Sequence, residues 1–255
     1  MLHRFSGTEL LLGAEGVDRL RNSSVTIFGL GGVGSFAAEA ICRAGVGRVT
    51  IVDFDDICLT NINRQLHALD GTVGKGKSQV MADRLRSINP SAEIIPFREF
   101  YSHESSALLL AGDHDYVLDA IDHFTSKIHL MTECRRRGIP IISSMGAAMK
   151  SDPTLVRVDD ISRTMVCRMA RSVRKLLKKE GITNGIDVVY SLEEFRKPSL
   201  PDAGCGQNCI CPNRGSRQFS CLHRRVVLGS MMTIPAIFGV TMAGVAINRI
   251  LDAPS

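Results

Sequence analysis

Apolar and polar positions over the first 160 residues alternate between two patterns. Short runs rich in β-branched and aromatic residues, Val25–Phe28, Val49–Val52, Glu93–Phe97, Tyr116–Ala120 and Ile139–Ser143, have the length and composition of strands. Longer stretches between them, Gly7–Leu20, Gly34–Ala44, Lys75–Ser87, Ser105–Ala111 and Ser126–Arg137, read as helices. Strands separated by helices predict an α/β fold: a doubly wound, mainly parallel sheet with right-handed crossovers. Such sheets bind ligands in the crevice at the carboxyl ends of their strands. The loops after the apolar runs are therefore where chemistry is expected.

The first of these loops is rich in glycine. Val25–Phe28 runs into Gly29-Leu30-Gly31-Gly32-Val33-Gly34, where Gly29, Gly31 and Gly34 have G-x-G-x-x-G spacing and Ser35 onward reads as a helix. Glycines let a backbone turn tightly and approach phosphates, and a helix N-terminus offers N–H groups and the positive end of its dipole. Val49–Val52 ends in Asp53, about 20 residues past the glycines, where a carboxylate can bond ribose hydroxyls. A Rossmann-like nucleotide-binding half is expected here, although glycines alone do not specify the nucleotide. The chain has 255 residues, 44% of them hydrophobic, enough for one large core carrying an insertion. A single domain over 1–255 is expected, with 161–228 a basic, cysteine-rich insertion and a helix at the C-terminus. Met1-Leu2-His3-Arg4 has no apolar signal region, which points to the cytoplasm. Eight cysteines in that setting read as reduced thiols or metal ligands rather than a disulfide framework.

The following loops narrow the ligand. After Asp53 come Asp55-Asp56, then Thr60-Asn61-Ile62-Asn63-Arg64-Gln65, then Gly74-Lys75-Gly76-Lys77, and beyond the fourth apolar run Asp119-Ala120-Ile121-Asp122. A dinucleotide oxidoreductase, which would explain the glycines and Asp53, has no need of an Arg, a Lys and a further carboxylate at the phosphate end. A nucleoside triphosphate does, because its anionic oxygens require cations and Mg²⁺ requires a hard oxygen ligand. No Ser-His-Asp constellation is evident. Each residue also has a plainer reading: Asp53, Asp55 and Asp56 as turn formers, Asn61 with Thr60 as a helix cap, Arg64 and Lys77 as solvated charges, Asp122 as the cap of the next helix. His67 follows Arg64-Gln65 at helical spacing and reads as structural.

In this order the motifs G-x-G-G-x-G-S, D-x-D-x-I-x-x-T-N-x-x-R-Q, G-x-x-K and D-x-x-D resemble those of the ubiquitin-activating-enzyme-like adenylating superfamily. The opening Arg4-Phe5-x-Gly7-Thr8, the run Thr60 to Leu69, Asp119 to Asp122 and Phe238-Gly239 are similar to its branch acting on threonylcarbamoyladenosine in tRNA. The likeness spans nearly the whole chain and weakens between Asp160 and Leu228. It implies that Gly29, Gly31, Gly32 and Gly34 line ATP, with Asp53 on the ribose. It further implies that Asn61, Arg64 and Lys77 act on the phosphates with support from Gln65 and Asp55, and that Asp122 holds Mg²⁺. The implied activity is ATP-dependent cyclisation of threonylcarbamoyladenosine through adenylation of its carboxylate. The alternative is adenylation of the C-terminus of a ubiquitin-like sulfur carrier. A homodimer, an N-terminal arginine reaching across it (Arg4 is the nearest candidate) and sulfur-relay partners are also implied.

The second half bears on the substrate. From Arg163 to Lys179 there are seven basic residues and no acidic one, with Met165, Met169, Val173 and Leu176 at helical spacing. An amphipathic helix with an all-basic face suits nucleic-acid phosphates, here tRNA, through Arg163, Arg168, Arg171, Arg174, Lys175 and Lys178. An ordinary charged helix face is the other reading. Cys205, Cys209, Cys211 and Cys221, with His223 nearby, are either a zinc site of irregular spacing, free thiols in a loop, or a disulfide. Leu228–Ile247 has 20 residues without a charge and reads either as a buried helix or as membrane-associated.

Overall fold

Residues 2–197 and 228–253 are described by the computed structural model. The expected alternation is present in β1 (Ser24–Phe28), α2 (Gly34–Ala44), β2 (Arg48–Val52), α3 (Lys77–Ile88) and β3 (Glu93–Phe97). It continues in α4 (His103–Leu109), β4 (Tyr116–Asp119), α5 (Phe124–Arg137) and β5 (Ile141–Ser144). Helix α1 (Ser6–Arg21) precedes them, and its helical backbone breaks at Gly13, whose φ is 75°. Beyond them lie β6 (Val156–Asp160), α6 (Arg168–Lys179), β7 (Asp187–Ser191) and α7 (Thr233–Asp252).

The strands form one sheet in the order β3-β2-β1-β4-β5-β7-β6, parallel except for β6, which runs antiparallel to β7. Pro96, which cannot donate to a ladder, sits in the edge strand β3. Val25, Ile27, Val49 and Ile51 face the core shared with α2, α3 and α7. Phe28, Val52 and Val117 face the core shared with α5 and α6. Helices therefore cover both faces, which is why β1 and β4 are buried at every residue and read as largely apolar runs.

Helix α7 has a mean hydropathy of 1.6 over its most apolar window, enough in length and composition to cross a membrane. Its packing follows the buried reading. Ile234, Phe238, Met242 and Ala246 are fully buried, and a Cβ at Gly239 would lie 2.3 Å from the carbonyl oxygen of Val33, the residue just before α2. Glycine lets the two backbones approach this closely.

The region 161–228 departs from expectation in two ways. First, it is not wholly an insertion, because Asp187–Ser191 within it forms β7, between β5 and β6 in the sheet. Second, the basic helix begins at Arg168, not Arg163. Arg163 ends a 3-10 turn and pairs with Asp159 at 2.5 Å, so the acidic partner comes from the preceding strand. Val166, with φ 61°, then interrupts the chain in a conformation no α-helix admits. The buried stripe is Ala170, Val173 and Leu177, whereas Met165 is exposed. Arg174 turns inward and donates to the Thr164 carbonyl at 2.8 Å, leaving Arg168, Arg171, Lys175 and Lys178 exposed. Cys205, Cys209, Cys211, Cys221 and His223 lie outside the described residues. Among the described residues Cys42, Cys134 and Cys167 are buried thiols, and no group of three His, Cys, Asp or Glu is placed to hold a metal.

Candidate active site

Strands β1 and β4 are neighbours, yet the chain leads from β1 through β2 to β3 on one side and from β4 to β5 on the other. The crevice of a doubly wound sheet opens at such a switch point, over the carboxyl ends of the diverging strands. From β1 comes the glycine turn. A Cβ at Gly34 would sit 1.7 Å from the Gly29 carbonyl oxygen, so only glycine lets α2 start against its own loop. Gly31 is the opposite case: nothing lies within 4 Å of where its Cβ would be. The protein leaves open space there, over the N-terminus of α2, where an anion is favoured.

Asp53, just past β2, ties the turn together. One carboxylate oxygen accepts from Leu30 N at 2.6 Å and the other from Asp55 N at 2.8 Å. Burial pushes its carboxyl above the usual aspartate range and nearby Asp55 adds to this, while Lys77 and the two N–H donors oppose it. Lys77 opens α3, is 6% exposed, and its Nζ lies 3.0 Å from Asp55 Oδ2. Asp56 pairs in turn with Arg98 at 2.8 Å and bridges to Gly76. The carboxylates that also read as turn formers therefore hold the loop bearing Lys77.

A 3-10 turn, Leu59–Asn61, carries the third group. Asn61 Oδ1 closes that turn by accepting from Cys58 N at 3.0 Å. Arg64 follows, its guanidinium donating to the Thr60 carbonyl and to Asn63 Oδ1, both at 2.8 Å. Its Cγ lies 3.5 Å from where a Cβ on Gly32 would be, so Arg64 packs over the glycine turn. Gln65 is buried, and its Oε1 has no hydrogen-bond partner among the described residues. From β4 comes Asp122, exposed at the mouth; His123, not Asp122, caps α5 through Ser126 N. The glycine turn, Asp53, Asp55, Asn61, Arg64, Gln65, Lys77 and Asp122 thus collect around the ends of β1, β2 and β4. Arg4 does not join them within its own chain. It donates to the Ile88 carbonyl at 2.8 Å, at the end of α3 remote from Lys77.

Two features here were not read from the sequence. Phe54, Phe100 and His123, which follow β2, β3 and β4, form an aromatic row with ring centroids 5.1 and 5.7 Å apart. The first directly follows Asp53, a position that hints at a base beside the ribose. The second is how completely His67 is enclosed: it is 2% exposed and neither ring nitrogen has a hydrogen-bond partner among the described residues. Burial, with the charges of Lys77 and Arg84, lowers its pKa to about 3. Below about pH 6.5 the unfolded chain takes up a proton that native His67 refuses. This group therefore costs stability as pH falls from about 6.5, by up to roughly 1.4 kcal/mol per pH unit. His67→Phe keeps a ring without the titrating nitrogens. Urea titrations at pH 6.5 and 5 are expected to show a smaller loss for the variant, by about 1–2 kcal/mol. Equal losses would mean His67 is protonated in the native state.

A model of the ThiF family matches residues 7–255. The chain is 52% identical over 193 residues to the tRNA threonylcarbamoyladenosine dehydratase of Bacillus subtilis (strain 168), covering 76% of each. It is 33% identical over 255 residues to that of Escherichia coli (strain K12), covering 97% of this chain and 93% of the relative. The crystal structure of the E. coli tRNA N6-threonylcarbamoyladenosine dehydratase in complex with ATP is similar with a TM-score of 0.83 at 32% identity, covering 97% of this chain and 93% of that one. Matched by the family's model over almost its whole length, the chain belongs to the ThiF family.

Proposed function

We propose that this chain is an ATP-dependent adenylating enzyme that cyclises threonylcarbamoyladenosine in tRNA. The observation that carries the reading is Arg64 packed against a glycine turn that leaves Gly31 facing open space, with Lys77 held by Asp55 beyond the neighbouring strand. A dinucleotide needs no such concentration of cations. The relatives, which carry the name of a tRNA-modifying dehydratase, supply the substrate.

In the proposed reaction the side-chain carboxylate of the modified nucleoside attacks the α-phosphorus of ATP. The new acyl–phosphate bond forms as the bond to the β-phosphate breaks, and pyrophosphate leaves. A carbamoyl heteroatom then attacks the acyl carbon, gives up its proton to solvent and displaces AMP, closing a ring. The nucleoside has lost one water, whose oxygen departs on AMP. Little covalent help is needed from the protein; positioning and charge neutralisation do most of the work. Arg64 and Lys77 neutralise the phosphates, Lys77 being held ready by Asp55. Asn61 and Gln65 support them, Asp53 takes the ribose, and the Phe54–Phe100–His123 row walls the base. Asp122 would hold Mg²⁺, which supplies charge neutralisation at the departing pyrophosphate.

Of the exposed cations of α6, Arg168, Arg171, Lys175 and Lys178 form the proposed tRNA contact, without Arg163 and Arg174. The start of α6 lies at the crevice end of the sheet, where Met169 Cβ is 3.5 Å from where a Cβ on Gly146 would be, just past β5. The cationic stripe therefore leads away from the site itself.

ATP with Mg²⁺ at 100 times its Kd is expected to stabilise the fold by about 2.7 kcal/mol, a Tm rise of roughly 5–10 °C, and NAD is not. Pyrophosphate release should be stimulated by threonylcarbamoyl-modified tRNA, with the nucleoside losing the mass of one water. Stabilisation by NAD and not ATP would end the adenylation reading. Release stimulated by a sulfur-carrier protein and not by tRNA would favour the carrier alternative.

A further inference from the structure

Beneath the crevice, three polar side chains meet in a place with no access to water. Asp119, the last residue of β4, and Lys127 of α5 are both fully buried, with Lys127 Nζ 2.6 Å from Asp119 Oδ2. Ser143 of β5, the register neighbour of Asp119, is also fully buried. Its hydroxyl donates to the same Oδ2 at 2.6 Å and accepts from Lys127 Nζ at 3.1 Å. The other oxygen, Asp119 Oδ1, accepts from Ile121 N at 3.0 Å.

Burying an ion pair this completely is a poor way to stabilise a core, because desolvation offsets the attraction and apolar residues of similar volume often serve as well. What apolar residues cannot do is bind the Ile121 N–H. Through Asp119 the network ties the β4–α5 turn to a helix on one side and a strand on the other. That turn is also the wall of the glycine loop: a Cβ on Gly29 would meet the Ala120 carbonyl oxygen at 2.8 Å, and one on Gly34 would meet Ala120 Cβ at 3.2 Å. Asp122 is the residue after Ile121.

We propose that Lys127 and Ser143 are positioning residues for the nucleotide reaction, acting through Asp119 to hold Asp122 at the mouth of the glycine turn. This rests on Asp122 as the Mg²⁺ ligand of the adenylation reading. Neither residue touches a reacting atom. Their effect should therefore appear in the Mg²⁺ dependence and in kcat rather than in folding.

The test measures Mg²⁺ activation of pyrophosphate release and Tm on the full chain. Ser143→Ala, which removes one donor and leaves the ion pair, is expected to raise the Mg²⁺ concentration for half-maximal rate at least fivefold and lower kcat, with Tm little changed. Ser143→Thr, which restores the hydroxyl, should recover both. The triple variant Asp119→Leu, Lys127→Met, Ser143→Ala removes the whole network. It should fold with a Tm near or above that of the parent and be impaired at least thirtyfold in kcat. Asp122→Asn serves as the reference. If it leaves Mg²⁺ activation unchanged, the underlying assignment of Asp122 fails. If it is impaired while Ser143→Ala matches the parent, the positioning proposal fails and that assignment stands. Should the triple variant not fold, the Ser143 pair decides alone.

Discussion

Arg64→Ala is expected to lower tRNA-dependent pyrophosphate release by about 10²–10³-fold, the loss typical of removing one preorganised charge-stabilising donor from a reaction centre. Its Cγ packs over Gly32 and its guanidinium is steadied by the Thr60 carbonyl and Asn63 Oδ1, outside both apolar cores. The fold should therefore survive, with Tm within a few degrees of the parent. Lys77→Ala should cost activity on the same scale but should also lower stability. Lys77 is buried, and its loss leaves Asp55 without its 3.0 Å partner. Breaking a buried pair costs roughly 3–5 kcal/mol, and less here to the extent that water reaches Asp55, whose side chain is 19% exposed. Asp122→Ala should raise the Mg²⁺ requirement. Parental turnover in Arg64→Ala would refute the site, since that variant is expected to keep its fold.

Charge reversal at Arg171, Lys175 and Lys178 is the second large effect. Each exposed cation placed against a phosphate releases a counterion. Losing three such contacts should flatten the slope of log affinity against log salt by roughly 2–3. At low salt the affinity for tRNA should fall more than 100-fold, while ATP affinity stays the same because α6 contributes nothing to the glycine turn. Arg174→Glu should behave differently. Arg174 holds the Thr164 carbonyl at 2.8 Å, so reversal there should destabilise the start of α6 rather than weaken tRNA binding selectively. An unchanged salt slope in the triple variant would make α6 an ordinary surface and move the tRNA interface elsewhere.

The alternation from β1 to β5 was legible because β1, β2 and β4 are covered on both faces, which leaves them mostly apolar, and helices of clear apolar periodicity separate the strands. β7 carries only Val188-Val189-Tyr190 between polar residues and follows a charged helix, so nothing local marked it as a central strand. The rotation of α6 departs from its sequence for a different reason. Its apolar positions admit two stripes one residue apart, and only packing into the core shared with α5 and β7 buries Ala170, Val173 and Leu177 fully while Met169 lies at that core's edge. Arg163 belonged to the helix by composition, yet pairing with Asp159 and the backbone at Val166 placed it before the helix.

By itself the sequence determined the class of sheet, the glycine turn and the placement of Asp53, Asn61, Arg64, Lys77 and Asp122 in the segments that follow its strands. Strand periodicity and motif spacing are local properties written in neighbouring residues. Only the tertiary structure decided which charges answer which: Asp55 to Lys77, Asp56 to Arg98, Asp119 to Lys127 and Ser143, Arg174 to its own turn. Those pairings join residues from separate elements, and their strength depends on how far each is removed from water. No run of neighbouring residues encodes that distance; it exists once the helices have closed over the sheet.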